Sequence, residues 1–318
     1  MRKLLSSLLL AAVAVLGTAA QAATFVSGDL FASTASGSVT VYSNTGVFKA
    51  TLNTGLGGYT TGSTFDASGN FYVTAFSAGQ IAKFDTTGTL TNSNWAGGTG
   101  LASPESIVFD ASGNAYIGNA NAGKITKVSS SGALLANFTT LQNTDWIDLA
   151  ADQKTLIYSN EGSVIRKLDT TTLVDTVFAS GVGINSYAKR IRPNGDLMVA
   201  NSDGKVYRYN SSGILQQTYA VGLGSVFALN LDPDGTSFWT GQTGGANLRR
   251  VDIATGSTLT TFATAGNLFG LSVLGEVQAG GGGCTVNCGG GTTPEPGSLA
   301  LAATALGLLG YGARRRRA

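Results

Sequence analysis

Histidine is absent from all 318 residues. That excludes every mechanism needing an imidazole, whether a Ser-His-Asp triad, a Cys-His dyad, a histidine zinc site or a histidine general base. Cysteine occurs only as Cys284 and Cys288, too few for a disulfide framework. Proline occurs five times, and charged residues make up 12% of the chain, well short of the ~25% usual in soluble proteins. The formal charge of +2 sits at the ends, on Arg2, Lys3 and Arg314 to Arg317. With the ends and Glu295 set aside, 14 basic residues face 17 acidic ones, a net of −3. No basic stripe is left to neutralise phosphates, so nucleic acid is not an expected partner. Glycine, by contrast, is abundant at 45 residues, about twice its usual ~7% share. Short strands joined by glycine turns produce this balance, and a helix-rich domain does not.

The two ends carry addresses. Residues 1–22 form a signal peptide pattern: Arg2 and Lys3, an apolar core from Leu4 to Leu16, then Ala20-Gln21-Ala22. This small-x-small pattern, with Ala20 and Ala22 as its small residues, suits signal peptidase after delivery by the Sec translocon. Cleavage after Ala22 or Ala23 fits equally, and an uncleaved N-terminal anchor is the alternative. At the other end, Pro294-Glu295-Pro296 precedes an apolar stretch from Leu299 to Tyr311 and then Arg314, Arg315, Arg316 and Arg317. The 17 residues from Gly297 to Ala313 lie at the lower edge of what spans a bilayer. The arginines act as a stop-transfer cluster that stays cytoplasmic. Together these elements predict transient membrane insertion while a processing enzyme acts.

Residues 294–318 resemble the PEP-CTERM sorting signal in all three ordered elements. The resemblance implies a Gram-negative bacterium and an exosortase, a membrane cysteine protease cutting near Pro294, Glu295 and Pro296. It also implies an exported protein of the outer surface or extracellular matrix, associated with exopolysaccharide and biofilm. The chain would be held for a time in the inner membrane with its C-terminus in the cytoplasm. Between body and signal, residues 279–293 read as a flexible glycine tether around Cys284-Thr285-Val286-Asn287-Cys288. In an oxidising compartment a small-loop disulfide is the first expectation, with intermolecular cross-linking as an alternative. Two thiols alone are too few for zinc, which takes four ligands.

The body, residues 23–278, is repetitive. Asp66-Ala67-Ser68-Gly69-Asn70 precedes Phe71-Tyr72-Val73, and Asp110-Ala111-Ser112-Gly113-Asn114 precedes Ala115-Tyr116-Ile117. Weaker copies start at Asp152, Arg192 and Asp232, giving spacings of 44, 42, 40 and 40 residues. Gly28-Asp29-Leu30-Phe31-Ala32 matches the middle of a sixth copy. The clearest unit holds four strand-like runs, 106–109, 115–118, 124–128 and 134–138, joined by Asp/Ser/Gly/Asn turns. Four strands per unit of this length predict an all-β, six-bladed β-propeller. The run Leu268 to Leu274 has no unit after it, while the first copy lacks an opening strand. It is therefore expected to complete the first blade and remove a free edge. A stacked solenoid, the rival, has no need of two complementary half units.

The run Pro104-Glu105-Ser106-Ile107-Val108-Phe109-Asp110, with Gly113-Asn114, Tyr116-Ile117 and Lys124-Ile125, resembles an NHL repeat. The second and third units match best. That resemblance implies the propeller fold, which hosts scaffolds, protein and RNA binders, lactonases and lyases alike.

Aligning the repeats places Thr61, Glu105, Ile147, Tyr187, Phe227 and Phe269 at equivalent positions beside one channel mouth. Gly62, Ser106, Asp148, Ala188, Ala228 and Gly270 follow one register later. Glu105, Asp145 and Asp148 bring carboxylates to this region, and the second strands end near Asn119, Asn160, Glu161 and Asn201. Glu105, Asn119, Asp148 and Asn201 are the candidate metal ligands, an oxygen set suited to Ca2+. That set is similar to the one used by regucalcin-type lactonases, which would make the chain a calcium-dependent hydrolase. Turn chemistry accounts for the same asparagines without a metal, and no cofactor is required by the sequence. The rings Trp95, Trp146, Trp239, Tyr59, Tyr187 and Phe227 either fill the wedges between blades or stack on sugars. The leading expectation is a non-enzymatic binding or structural protein, with extracellular polysaccharide or a surface protein as partner.

Overall fold

Each recurring Asp-x-Ser-Gly-Asn run closes a turn between an innermost strand and the next strand outward. Asp66 Oδ1 accepts hydrogen bonds from the N–H groups of Ser68 and Asn70, at 3.0 and 2.9 Å. Asp110 Oδ1 does the same for Ser112 and Asn114. Gly69 and Gly113 take φ values of 84° and 80°, a conformation that glycine adopts without steric cost. The aspartate satisfies the turn's free donors, and the glycine lets the chain reverse.

The computed structural model describes residues 24–281. The positions assigned to signal cleavage, Ala20 and Ala22, lie outside the described residues. So do Cys284 and Cys288, the motif Pro294, Glu295 and Pro296, and the arginines Arg314 to Arg317. Among the described residues, no helix is long and apolar enough to cross a membrane.

Among the described residues, twenty-four strands form six antiparallel sheets of four, the expected six-bladed propeller. The innermost strands of blades two to six are Thr60–Phe65, Pro104–Phe109, Trp146–Leu149, Ser186–Ile191 and Val226–Leu231. Blade one joins both ends of the chain. Its innermost strand is Gly270–Val273, which pairs with Leu30–Ser33 in the register Leu30↔Val273 to Ser33↔Gly270. Closure by the last strand is therefore as the half units predicted, and the innermost strands contact one another in an unbroken ring.

Hydrophobic clusters fill the wedges between neighbouring blades. Phe31, Phe65, Phe71 and Phe84 pack together between blades one and two. Trp95 sits with Tyr72 and Phe109 between blades two and three, and Trp239 packs with Leu30 and Val273 between blades six and one. These two tryptophans are core residues, with ring neighbours at 4.7 Å for Trp95–Tyr72 and 5.6 Å for Trp239–Phe262.

Near the hub the innermost strands approach so closely that side chains must shrink. A Cβ on Gly62 would stand 2.3 Å from Glu105 O, and one on Gly270 would stand 2.0 Å from Thr61 O. Neither glycine has a positive φ, so the constraint is steric. Gly62→Ala is expected to cost about 3 kcal/mol, since overpacking against backbone cannot relax by a rotamer change. Urea denaturation checks this; an unchanged midpoint would refute the close approach.

Blade four departs from the repeat alignment. The turn-closing bond Asp66 N–H to Asn70 O recurs as Asp110 N–H to Asn114 O and as Ala150 N–H to Thr155 O. Blade four thus begins its turn at Ala150, with Asp152 capping from two residues further on, through the N–H groups of Lys154 and Thr155. Aligning on the aspartate shifts the strand by two. Asp145 and Trp146, rather than Ile147 and Asp148, are the true equivalents of Glu105 and Ser106.

Beyond Val273 the chain crosses the channel end at which the innermost strands finish. Glu276 accepts from Arg190 Nε, Leu231 N–H and Asn230 Nδ2 at 3.0, 2.7 and 2.7 Å. Gln278 Nε2 donates to Thr64 Oγ1, and Gln153 Nε2 donates to Gly280 O. Residues 279–281, expected to begin the tether, are thus packed on the propeller, and Gly280 is buried. Since the tail covers this end, the other mouth is where ligand access is to be sought.

Candidate functional site

Five residues before each turn, the innermost strands begin at the uncovered mouth. In order around the ring the six side chains are Phe269, Thr61, Glu105, Asp145, Tyr187 and Phe227. The mouth therefore has two unlike halves. Tyr187 and Phe227 stand 4.6 Å apart between centroids, Phe227 and Phe269 6.2 Å, and Phe269 and Tyr59 4.8 Å. Trp146 extends this arc, 5.2 Å from Phe227. Tyr59 is 44% exposed, and Tyr187 and Phe269 are half-buried, so the arc offers ring faces to solvent.

The acidic half lies where the arc ends at Trp146. One carboxylate oxygen from each of Glu105, Asp145 and Glu161 lies within 4.8 Å of the other two. Glu105 and Asp145 come from neighbouring innermost strands. Glu161 comes from the loop after the second strand of blade four, and its φ of 61° places it in the left-handed region. Such a conformation is uncommon for a side-chain-bearing residue outside glycine. Glu105 and Asp145 are 5% and 7% exposed. Asp145 Oδ1 is buried without a hydrogen-bond partner, and so is the indole Nε1 of Trp146.

Lys189, fully buried on the innermost strand of blade five, stands behind this group. Its Nζ donates to Ser159 Oγ at 2.5 Å, Tyr187 O at 3.0 Å and Trp146 O at 3.4 Å. Burial pulls Lys189 down to about 7, against the opposing pull of Asp145, Asp148, Glu161 and Glu105. Burial pushes Asp145 up to about 7, with Glu161 adding to the shift and Lys189 opposing it. Glu105 is held well above the ordinary carboxylate range by burial, then by Glu161 and Asp145. Burial also raises Glu161, while the Trp146 side chain and Lys189 pull it back. These are acids crowded together, with the Trp146 indole favouring the Glu161 carboxylate and no donor among the described residues for Glu105 or Asp145, and such groups are concentrated at functional sites.

The candidate calcium ligands meet different fates. Glu105 stands in the carboxylate group. Asn119 spends its amide on scaffolding: Oδ1 accepts from Ala102 N–H, and Nδ2 donates to Ile117 O and Thr126 Oγ1. Asn201 does likewise, accepting from Ile184 N–H and donating to Val182 O. Asp148 accepts from Ile191 N–H at 2.6 Å and Leu149 N–H at 3.0 Å. Burial raises Asp148 to about 6 despite Arg190 and the Ile191 hydrogen bond. The three partners proposed for Glu105 are thus tied to the blade framework, while Asp145 and Glu161 converge on it instead. The two-residue shift in blade four hid Asp145's equivalence to Glu105, and no local pattern marks Lys189.

Comparison with known proteins bears on the tail and on the fold. Residues 292–317 match the PEP-CTERM protein-sorting motif. No curated protein matches the chain. A chain in the crystal structure of a nidogen/laminin complex superposes with a TM-score of 0.64 at 15% identity, covering 78% of this chain and 99% of that one. At that identity the likeness concerns the propeller alone. The protein is accordingly an exosortase-sorted extracellular protein, a six-bladed β-propeller ending in a PEP-CTERM sorting motif.

Proposed function

We propose that the propeller is a binding protein of the cell surface or extracellular matrix, and that it takes a polysaccharide segment at the uncovered mouth. The observation carrying this reading is the continuous arc Tyr59, Phe269, Phe227 and Tyr187, whose rings meet in tilted or T-shaped pairs at the start of the innermost strands. Pyranose rings present apolar C–H faces, and aromatic rings supply large rigid contact area with a polar handle at the tyrosine hydroxyls. A site of this kind needs no strong charge, which suits a chain with few charged residues. The superposable chain comes from a nidogen/laminin complex, so a protein partner is the competing ligand class. The calcium-dependent lactonase reading is less well supported, because Asn119, Asp148 and Asn201 are hydrogen-bonded within the blade framework.

The test is binding of the full chain, in detergent, to the producing organism's own extracellular polysaccharide. Tyr59→Ala removes an exposed ring outside the core clusters, and Tyr187→Ala removes a half-buried ring that packs against the cluster around Trp146 and Phe227. Each is expected to weaken binding about tenfold, the loss of roughly one stacking contact, with the melting temperature little changed for Tyr59→Ala and modestly lowered for Tyr187→Ala. Undiminished binding by both variants, or none by the unmodified chain, would overturn the reading.

A further inference from the structure

The acidic half of the mouth has no partner within the protein. Among the described residues, the side chains of Glu105 and Asp145 accept no hydrogen bond, though both are more than nine-tenths buried. Buried polar groups are almost always paired, so each orphan needs an explanation. The orphaned acceptor Asp145 Oδ1 lies at the point where acids and rings meet, beside Trp146, whose indole closes no hydrogen bond but faces Glu161 and favours its carboxylate. A ligand that satisfies this site must bring donors for the carboxylates.

We propose that Glu105, Asp145 and Glu161 seat a primary ammonium group of the ligand, and that the ligand is an amino sugar unit with its amine unacetylated. The proposal rests on the saccharide reading of the same mouth and names the sugar class. An alkylammonium carries three N–H donors and no acceptor, and three carboxylates converge here, one donor to each. Acceptor oxygens at about 2.8 Å from one nitrogen stand closer together than the 4.8 Å limit these three satisfy. The sugar ring attached to that nitrogen would lie over the aromatic arc, because Trp146 belongs to both halves. Lys189 Nζ donates to Ser159 Oγ and to backbone oxygens instead of pairing with the three acids, so a cation placed among them would favour the ionised forms that burial and mutual repulsion now disfavour. A bare calcium ion answers fewer of these observations: it takes six to eight oxygen ligands and offers nothing to a ring face.

The experiment titrates the full chain, in detergent, with a glucosamine tetramer, its fully N-acetylated counterpart, benzylamine and CaCl2, each alone, by calorimetry. The glucosamine tetramer is expected to bind about thirtyfold more tightly than the acetylated one, the range lost when a charged hydrogen bond is removed. Glu105→Gln and Asp145→Asn should erase that difference while leaving affinity for the acetylated tetramer unchanged. Because neither acid accepts a hydrogen bond from the fold, both isosteric amides should melt no lower than the parent chain. Equal affinity for both tetramers overturns the ammonium seat and leaves the saccharide reading standing. Benzylamine binding that depends on Glu105 and Asp145, with no binding of either sugar, supports the seat and overturns the saccharide reading. One equivalent of Ca2+ bound through Glu105 and Asp145, with no preference for amines, overturns the seat in favour of a metal.

Discussion

A chain terminated at Gly266 is expected to lose cooperative unfolding altogether. It lacks Gly270–Val273, the innermost strand of blade one, and with it the pairing from Leu30↔Val273 to Ser33↔Gly270. The truncation also removes Leu268, Leu271, Val273 and Leu274, each 3% exposed or less, and opens two of the six inter-blade wedges. Fully burying one such side chain is worth about 1.5–3 kcal/mol, so four of them rival the whole stability of a typical domain, about 5–15 kcal/mol. The new edge at Leu30–Ser33 would also invite pairing with other chains. Thermal melts followed by near-ultraviolet circular dichroism check the outcome. A single sharp transition within a few degrees of the full chain would show that closure contributes little. A synthetic peptide of residues 267–281, added to the truncated chain, should restore the transition in proportion to its concentration.

Most of the fold could be read from the repeat because turn chemistry is local. An aspartate capping two N–H groups and a glycine at positive φ leave the same residues wherever the turn recurs, as at Asp66 and Asp110. Counting such turns counts blades, and the unmatched runs at Leu30 and Leu271 show where the ring closes. The site was less legible, since it is assembled across blades. Glu105 and Asp145 lie 40 residues apart in sequence, and Glu161 reaches them only through a left-handed residue in a loop. A two-residue slip in blade four was enough to replace Asp145 by Asp148. Asn119 and Asn201 looked like ligands for the same reason that they are conspicuous in the repeat: each caps the end of a second strand. Lys189 was invisible because nothing in Tyr187-Ala188-Lys189-Arg190 says that the lysine points inward and the arginine toward the tail.

Glu276→Ala should be the most damaging single substitution outside the hub. Glu276 is 7% exposed and accepts three hydrogen bonds, from Arg190 Nε, Leu231 N–H and Asn230 Nδ2. Burial alone would lower Arg190, but Glu276 and then Asp148 more than compensate and hold it charged. Removing the glutamate leaves that guanidinium buried beside Asp148 as its remaining acid, with a backbone and an amide donor unpaired. Breaking one side of a buried ion pair costs about 3–5 kcal/mol, and urea denaturation of the full chain measures it. Arg190→Met alone should cost less, because Glu276 keeps two of its three donors. The double variant Glu276→Ala, Arg190→Met should be more stable than Glu276→Ala by itself, since it no longer buries an unmatched charge. Additive losses would mean that the two residues act independently and that the tail is held by Gln278 and Gly280 instead. A cooperative result makes Glu276 the latch by which the strand closing blade one is fixed to blades five and six. Residues 276–281 are then bonded to the propeller at the end away from the aromatic and acidic mouth, which leaves the mouth proposed for binding clear of them.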